Sequence, residues 1–165
     1  IPSQEALDEL LKQAEEKGMI VVAAVGNSGS TSVLYPAGAE TVVGVGALNS
    51  DGTLWSKSQR NSSVFVTAPG QNVEVLSKTG GVKIGSGTSY ASPMVAAVAA
   101  LVKQIKPDCT PEEFRALLQK TAVDAGEEGY DTSYGHGTVN IENIISELEE
   151  SLPPLVIKQG KLNGA

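Results

Sequence analysis

A run of seven apolar residues, Met19-Ile20-Val21-Val22-Ala23-Ala24-Val25, constrains this chain more than any other stretch. It is continuous rather than alternating, and four of its residues are β-branched. Such a run suits a strand buried on both faces of a parallel sheet, because a half-exposed strand alternates apolar with polar residues. Ahead of it, Leu7, Leu10, Leu11 and Ala14 recur at helical spacing, with Ser3 as the N-cap and Gly18 as the stop. Helix followed by buried strand reads as part of a βαβ unit, whose crossover is right-handed. After the loop composition of Asn27 to Ser32, Thr41 to Leu48 forms a second apolar strand. The fold class is therefore α/β: a mostly parallel sheet with helices on both faces.

Val64 to Thr67 and Val73 to Lys78 read as short strands separated by Ala68-Pro69-Gly70, and Gly80-Gly81 as a hairpin turn. A helix rich in Ala, Val and Leu follows, ending near Lys106-Pro107. It carries no charge from Ser89 to Val102, which predicts that nearly all its faces are buried. Thr110-Pro111-Glu112-Glu113 combines an N-cap, a first-turn proline and a capping-box acid, opening a helix to about Thr121. Asn140 to Leu148 reads as a last helix. Residues 1–150 make one domain, and 151–165, with Pro153-Pro154, a tail or linker.

The net charge of −7 over 165 residues, with cations as scattered as Lys57, Arg60 and Lys103, excludes nucleic acid as a partner. No apolar run approaches the ~18 residues of a membrane span. Cys109 is the only cysteine, so no internal disulfide framework forms. The N-terminus lacks the basic start and apolar run of a signal peptide and reads as the middle of a longer protein.

Two segments carry chemistry. In Gly87-Thr88-Ser89-Tyr90-Ala91-Ser92-Pro93, Pro93 fits the first turn of a helix, which puts Ser89 at or near the helix N-terminus. Free N–H groups and the helix dipole there stabilise negative charge. A serine so placed can attack a carbonyl while its own N–H holds the oxyanion that forms, and Gly87 lets a substrate backbone come close. Taken alone, the pattern is also what a cap on a core helix looks like. In Ala23-Ala24-Val25-Gly26-Asn27, an Asn follows a buried strand, pointing into the crevice where open α/β sheets bind ligands, or simply forming a turn.

Together these segments resemble the subtilase family (peptidase S8). Val22 to Ser28 is similar to its oxyanion-asparagine strand and Gly87 to Pro93 to its nucleophile motif, about sixty residues apart as in the family. Tyr35-Pro36-Ala37-Gly38, Val42 to Ala47, Ala68-Pro69-Gly70 and Tyr134-Gly135-His136-Gly137-Thr138-Val139-Asn140 fall in family order. The resemblance covers roughly residues 3 to 145 and implies a serine endopeptidase. Ser89 would be the nucleophile and Asn27 the side-chain donor of the oxyanion hole. Val25 and Gly26 would line the pocket for the residue before the scissile bond, with Gly87 and Thr88 also binding substrate. Met94 departs from the family's usual His at that position.

The family orders its triad Asp, His, Ser, so both partners should precede Ser89. No histidine stands between Ile1 and Ser89, and Glu40, Asp51 and Glu74 lack the motif of the catalytic acid. The chain is thus expected to be the C-terminal half of the catalytic domain, lacking the substrate-binding strand that would precede Ile1. His136 imitates a His-Gly-Thr motif, but its surroundings match a family turn whose middle residue is variable and exposed. The order Ser89, then Asp124 or Asp131, then His136 would suit an α/β-hydrolase, yet Ser89 lacks the Gly-x-Ser-x-Gly elbow.

Asp124, Glu127, Glu128 and Asp131 fit no EF-hand loop and read as a solvated acidic turn. The Ala37–Thr41 stretch resembles a family loop whose carbonyls bind a cation, which leaves a structural calcium open; no cofactor is required for the chemistry. The resemblance implies polypeptide substrates and a partner, the N-terminal half carrying Asp and His. It implies secretion rather than a cytoplasmic home. The alternative is a non-catalytic scaffold or pseudoprotease fragment that pairs with another chain through its exposed half-sheet.

Overall fold

The computed structural model describes residues 4–151; the Ser3 cap and the tail from residue 152 lie outside the described residues. Helix α1 (Gln4–Glu16) turns Leu11 into the interior, while Leu10 is exposed. Two bonds close it: Gly18 N–H donates to the Glu15 carbonyl (2.8 Å) and Met19 N–H to that of Ala14 (2.9 Å). With φ +74°, Gly18 takes the left-handed conformation this ending needs.

Strands β1 (Val21–Ala24), β2 (Val42–Leu48) and β3 (Val66–Pro69) form a parallel sheet in that order, with Val21 opposite Val42 and Val45 opposite Val66. All of β2 is buried, as a central strand should be. Alternation then splits the core into two layers. Val43, Val45, Ala47, Val66 and Ala68 meet α2 (Thr88–Ile105), α3 (Pro111–Thr121) and α4 (Ile141–Ser151) on one face. Ala23, Val25, Val42 and Val64 pack with Leu11 of α1 on the other. Helices thus cover both faces of a parallel α/β sheet. Strands β4 (Val73–Leu76) and β5 (Val82–Gly85) make a separate antiparallel hairpin, closed through Gly80-Gly81.

Helix α3 begins as its sequence dictates. Thr110 Oγ1 accepts from Glu113 N–H (3.1 Å), and Glu113 Oε2 accepts from Thr110 N–H (2.8 Å), with Pro111 in the first turn. It buries Phe114 and Leu118 completely between α2 and α4. Phe114→Ala is expected to lower stability by ~3–5 kcal/mol, the usual cost of an unfilled aromatic cavity, read as a fall in the urea midpoint at unchanged slope.

Two expectations are corrected. Strand β1 is only half-buried at Val21, Val22 and Ala24 rather than enclosed on both faces. It is the edge of the described sheet, and its outer side has no neighbouring strand there. Helix α2, expected to be enclosed, presents Met94, Ala96, Ala97, Ala100, Leu101 and Ile105 to solvent; Leu101 is 50% exposed and Ile105 41%. Its lack of charge is real, but nothing among the described residues covers that face. Among them, no helix is long and apolar enough to cross a membrane.

Candidate active site

The first residues of α2 and the loop after β1 meet at the carboxyl ends of the parallel strands, where open α/β sheets bind ligands. Gly87 N–H donates to the Gly70 carbonyl just beyond β3 (2.8 Å), and Ser86 Oγ accepts from Asn72 N–H (2.9 Å). These bonds pin the loop ahead of Ser89 to the segment that follows β3. Helix α2 then starts at Thr88, so Ser89 is its second residue and is exposed. Pro93 sits one turn further in than expected, as the sixth helical residue. Lacking an N–H, it leaves the Ser89 carbonyl without its i+4 donor.

Asn27 is held by Thr88. Its Oδ1 accepts from Thr88 N–H (2.8 Å) and from Thr88 Oγ1 (2.9 Å), and Thr88 Oγ1 in turn accepts from Gly26 N–H (3.2 Å). Two donors converge on Oδ1, so the amide cannot be flipped without setting its NH2 against the Thr88 N–H. Asn27 Nδ2 is therefore the end of the amide turned away from Thr88. A Cβ built on Gly87 would lie 3.2 Å from Ser89 Oγ and 3.4 Å from Asn27 Nδ2, so hydroxyl and amide flank one small space. Neither Asn27 Nδ2 nor the Ser89 N–H makes a hydrogen bond among the described residues. A hydroxyl and two free N–H donors thus border a gap that suits a carbonyl oxygen gaining charge.

The other expected binding residues fare differently. Val25 is fully buried in the core, so only its backbone can line a surface. Thr88 is fully buried too, and its side chain holds Asn27 rather than forming a wall. Gly26 has its N–H on Thr88 and its carbonyl on Gln59 N–H (3.2 Å). No sequence pattern announced the Thr88–Asn27 link, since its partners lie 61 residues apart.

His136 lies at the far end of β3. Its N–H donates to the Phe65 carbonyl (2.8 Å), whereas the loop ahead of Ser89 hangs from the Gly70 carbonyl. Five extended residues separate these points, about 16 Å at ~3.3 Å per residue, so His136 cannot take a proton from Ser89. The expectation of an exposed ring is also corrected. His136 is half-buried, with ring centroids 4.8 Å from Phe65 and 5.1 Å from Tyr130, and burial pushes it below the usual histidine pKa.

Asp131 caps its own turn, accepting from Ser133 N–H (2.6 Å) and Tyr134 N–H (2.9 Å), and Asp124 accepts from Gly129 N–H (2.9 Å). The α/β-hydrolase order is therefore not assembled around Ser89. No group of three His, Cys, Asp or Glu side chains among the described residues is placed to hold a metal. In the Ala37–Thr41 stretch, the Ala39 carbonyl accepts from Val42 N–H (3.1 Å) and that of Thr41 from Arg115 Nη1 (2.9 Å). The Thr41 carbonyl thus already has a guanidinium as its partner.

Comparison with known proteins agrees with this geometry. The Subtilase family model matches residues 2–137. Subtilisin BL of Lederbergia lenta is 38% identical over 142 residues, 86% of this chain and 52% of the relative. M-protease of Shouchella clausii (strain KSM-K16) is 39% identical over 142 residues, 86% of this chain and 37% of the relative. The self-cleaved protease domain of PatA superposes with a TM-score of 0.80 at 26% identity, covering 90% of this chain and 57% of that domain. The chain spans about half the length of Subtilisin BL and of the PatA domain. With its family motifs gathered at the mouth of a parallel α/β sheet, the chain belongs to the subtilase family.

Proposed function

We propose that this chain is the nucleophile-bearing half of a serine endopeptidase that cleaves polypeptides through an acyl-enzyme. Its strongest support is the convergence of Ser89 Oγ and the Asn27 amide on the space in front of Gly87, at the N-terminus of α2. Ser89 attacks the scissile carbonyl. The oxyanion that forms takes hydrogen bonds from Asn27 Nδ2 and from the Ser89 N–H, with the dipole of α2 adding to the field. The chemistry needs no cofactor. It does need a general base for the Ser89 proton, and His136, the chain's one histidine, is too far away. An upstream segment carrying Asp and His supplies it. That segment docks on the free edge of β1 and the bare apolar face of α2, both of which call for a covering layer. Without it the chain is inactive as a triad protease.

The same uncovered surfaces favour a second reading, a non-catalytic module that pairs with another chain. Intact-mass and denaturing-gel analysis of the native protein, followed by a fluorophosphonate probe, separates the two. A companion segment with labelling at Ser89 supports the protease. An assembled protein that does not label supports the module. A secreted location follows the reading too; one similar protein is named minor extracellular protease Epr of Bacillus subtilis (strain 168).

Asn27→Ala is expected to lower kcat of the assembled protease by ~10²–10³-fold with little change in KM, the loss found for the oxyanion asparagine of subtilisin itself. An unchanged kcat would remove Asn27 from the oxyanion hole.

A further inference from the structure

Asn27 is held from two sides, and only one of them is Thr88. The other is Gln59, an amide with no exposed surface in a loop far along the chain. Its Oε1 accepts from Ser28 Oγ (2.7 Å) and Ser30 N–H (2.9 Å), and its Nε2 donates to Ser30 Oγ (3.0 Å) and the Ser32 carbonyl (3.0 Å). Its own backbone N–H donates to the Gly26 carbonyl (3.2 Å). A glutamine amide has two acceptor sites and two donor hydrogens, and here all four are engaged with the loop that follows Asn27. The residues immediately before and after Asn27 are both bonded to this one residue. The packing agrees: a Cβ on Gly26 would come within 2.8 Å of Gln59 Cγ, so the side chain lies directly under the Gly26 backbone.

We infer that Gln59 is a positioning residue for the oxyanion hole, fixing the backbone at Asn27 so that Nδ2 meets the developing charge. The inference rests on the protease reading above and adds to it a residue that touches neither substrate nor nucleophile. Thr88 sets the rotation of the Asn27 side chain; Gln59 sets where that side chain starts from. A loop of Ser, Gly and Thr residues has little apolar surface to hold itself down, so a buried, fully satisfied amide takes the place of a core. An oxyanion donor must be placed to within a fraction of an ångström, and a shift of ~1 Å costs on the order of 10²-fold in rate.

The test is a double-mutant cycle in the assembled protease, with Gln59→Met, Asn27→Ala and both together, and active sites counted by fluorophosphonate titration. Methionine keeps the length and loses every side-chain hydrogen bond. Gln59→Met is expected to lower kcat per active site ~10- to 100-fold, with KM held within about threefold, since placement rather than substrate affinity is lost. In the Asn27→Ala background the same change should cost less than about threefold, because the donor it serves is gone. A merely structural role would slow both backgrounds alike. Losses that multiply fully in the double mutant, or a Gln59→Met enzyme with unchanged kcat, overturn the inference while leaving the oxyanion role of Asn27 standing. An Asn27→Ala enzyme of undiminished kcat overturns both. If Gln59→Met does not fold, Ser28→Ala with Ser30→Ala removes two of the four bonds from the loop side, those of the serine hydroxyls, and enters the same cycle with a smaller expected loss.

Discussion

Ser89→Ala is expected to lower kcat of the assembled protease by ~10⁶-fold, as removal of the nucleophile does in subtilisin, and to abolish fluorophosphonate labelling. The size follows from what the substitution leaves intact. Alanine suits the first turn of a helix, and Ser89 is exposed, so the fold and α2 should be untouched. Thr88, not Ser89, orients Asn27, so the oxyanion donors also stay in place. What disappears is the single oxygen that can bond to the substrate carbonyl. The residual rate should then be that of water attacking a carbonyl in a preformed oxyanion hole, still ~10³-fold or more above the uncatalysed reaction. Stability and probe chemistry should therefore separate cleanly: an unchanged melting temperature with no covalent label. Labelling that persists in Ser89→Ala, at Ser92 or His136, would sink the assignment of the nucleophile.

The parts of this architecture that were legible in the sequence are those encoded within a few residues. The capping box at Thr110 to Glu113 has three local signals pointing the same way, and α3 begins where they say. Gly80-Gly81 closes the β4–β5 hairpin as expected, and the β-branched run before Val25 forms a parallel strand. The family motifs that hold Ser89 and Asn27 are contiguous strings, and the fold brings the two residues beside Gly87. Pro93 misled by one turn: first-turn preference is strong, but a proline further in is tolerated when the orphaned carbonyl lies near an open helix end.

The misreadings share another cause. An uncharged helix and a continuous apolar strand predict burial, but they cannot say which chain supplies the cover. Leu101 and Ile105 on α2 have the composition of an interior and, among the described residues, the exposure of a surface, and Val21 on β1 is only half-buried. Sequence patterns report what a residue requires; the neighbour that meets the requirement need not lie within the stretch being read. Contacts between distant loops are illegible for a related reason. Gln59 in Ser58-Gln59-Arg60-Asn61 looks like any polar loop residue, and only the fold brings Ser28 and Ser30 to its amide. His136, taken for an exposed turn residue, is drawn in by two aromatic rings, one of them 71 positions earlier in the chain.

Gly87→Val is expected to reduce kcat/KM by at least ~10³-fold while leaving Ser89 and Asn27 chemically intact, because both placement and oxyanion stabilisation fail together. The residue stands at φ +153°, ψ 162°, a conformation that side-chain-bearing residues rarely adopt, so backbone strain comes first. Space comes second. The first carbon of a side chain would stand 3.2 Å from Ser89 Oγ and 3.4 Å from both Asn27 Nδ2 and Oδ1, inside the gap where the oxyanion is to sit. The two further methyls of valine add bulk beyond that carbon, beside Ser89 and Asn27. The bond from the backbone N–H of residue 87 to the Gly70 carbonyl survives the substitution, so the loop stays anchored and the variant should fold. The contrast with Ser89→Ala is diagnostic: here the nucleophile is present, and slow labelling should persist at high probe concentration. Gly87→Ala should show the same defect in weaker form, since one carbon obstructs less than three. If Gly87→Val keeps kcat/KM within tenfold, the scissile carbonyl does not pass between Ser89 and Asn27, and the oxyanion geometry drawn from their approach is wrong.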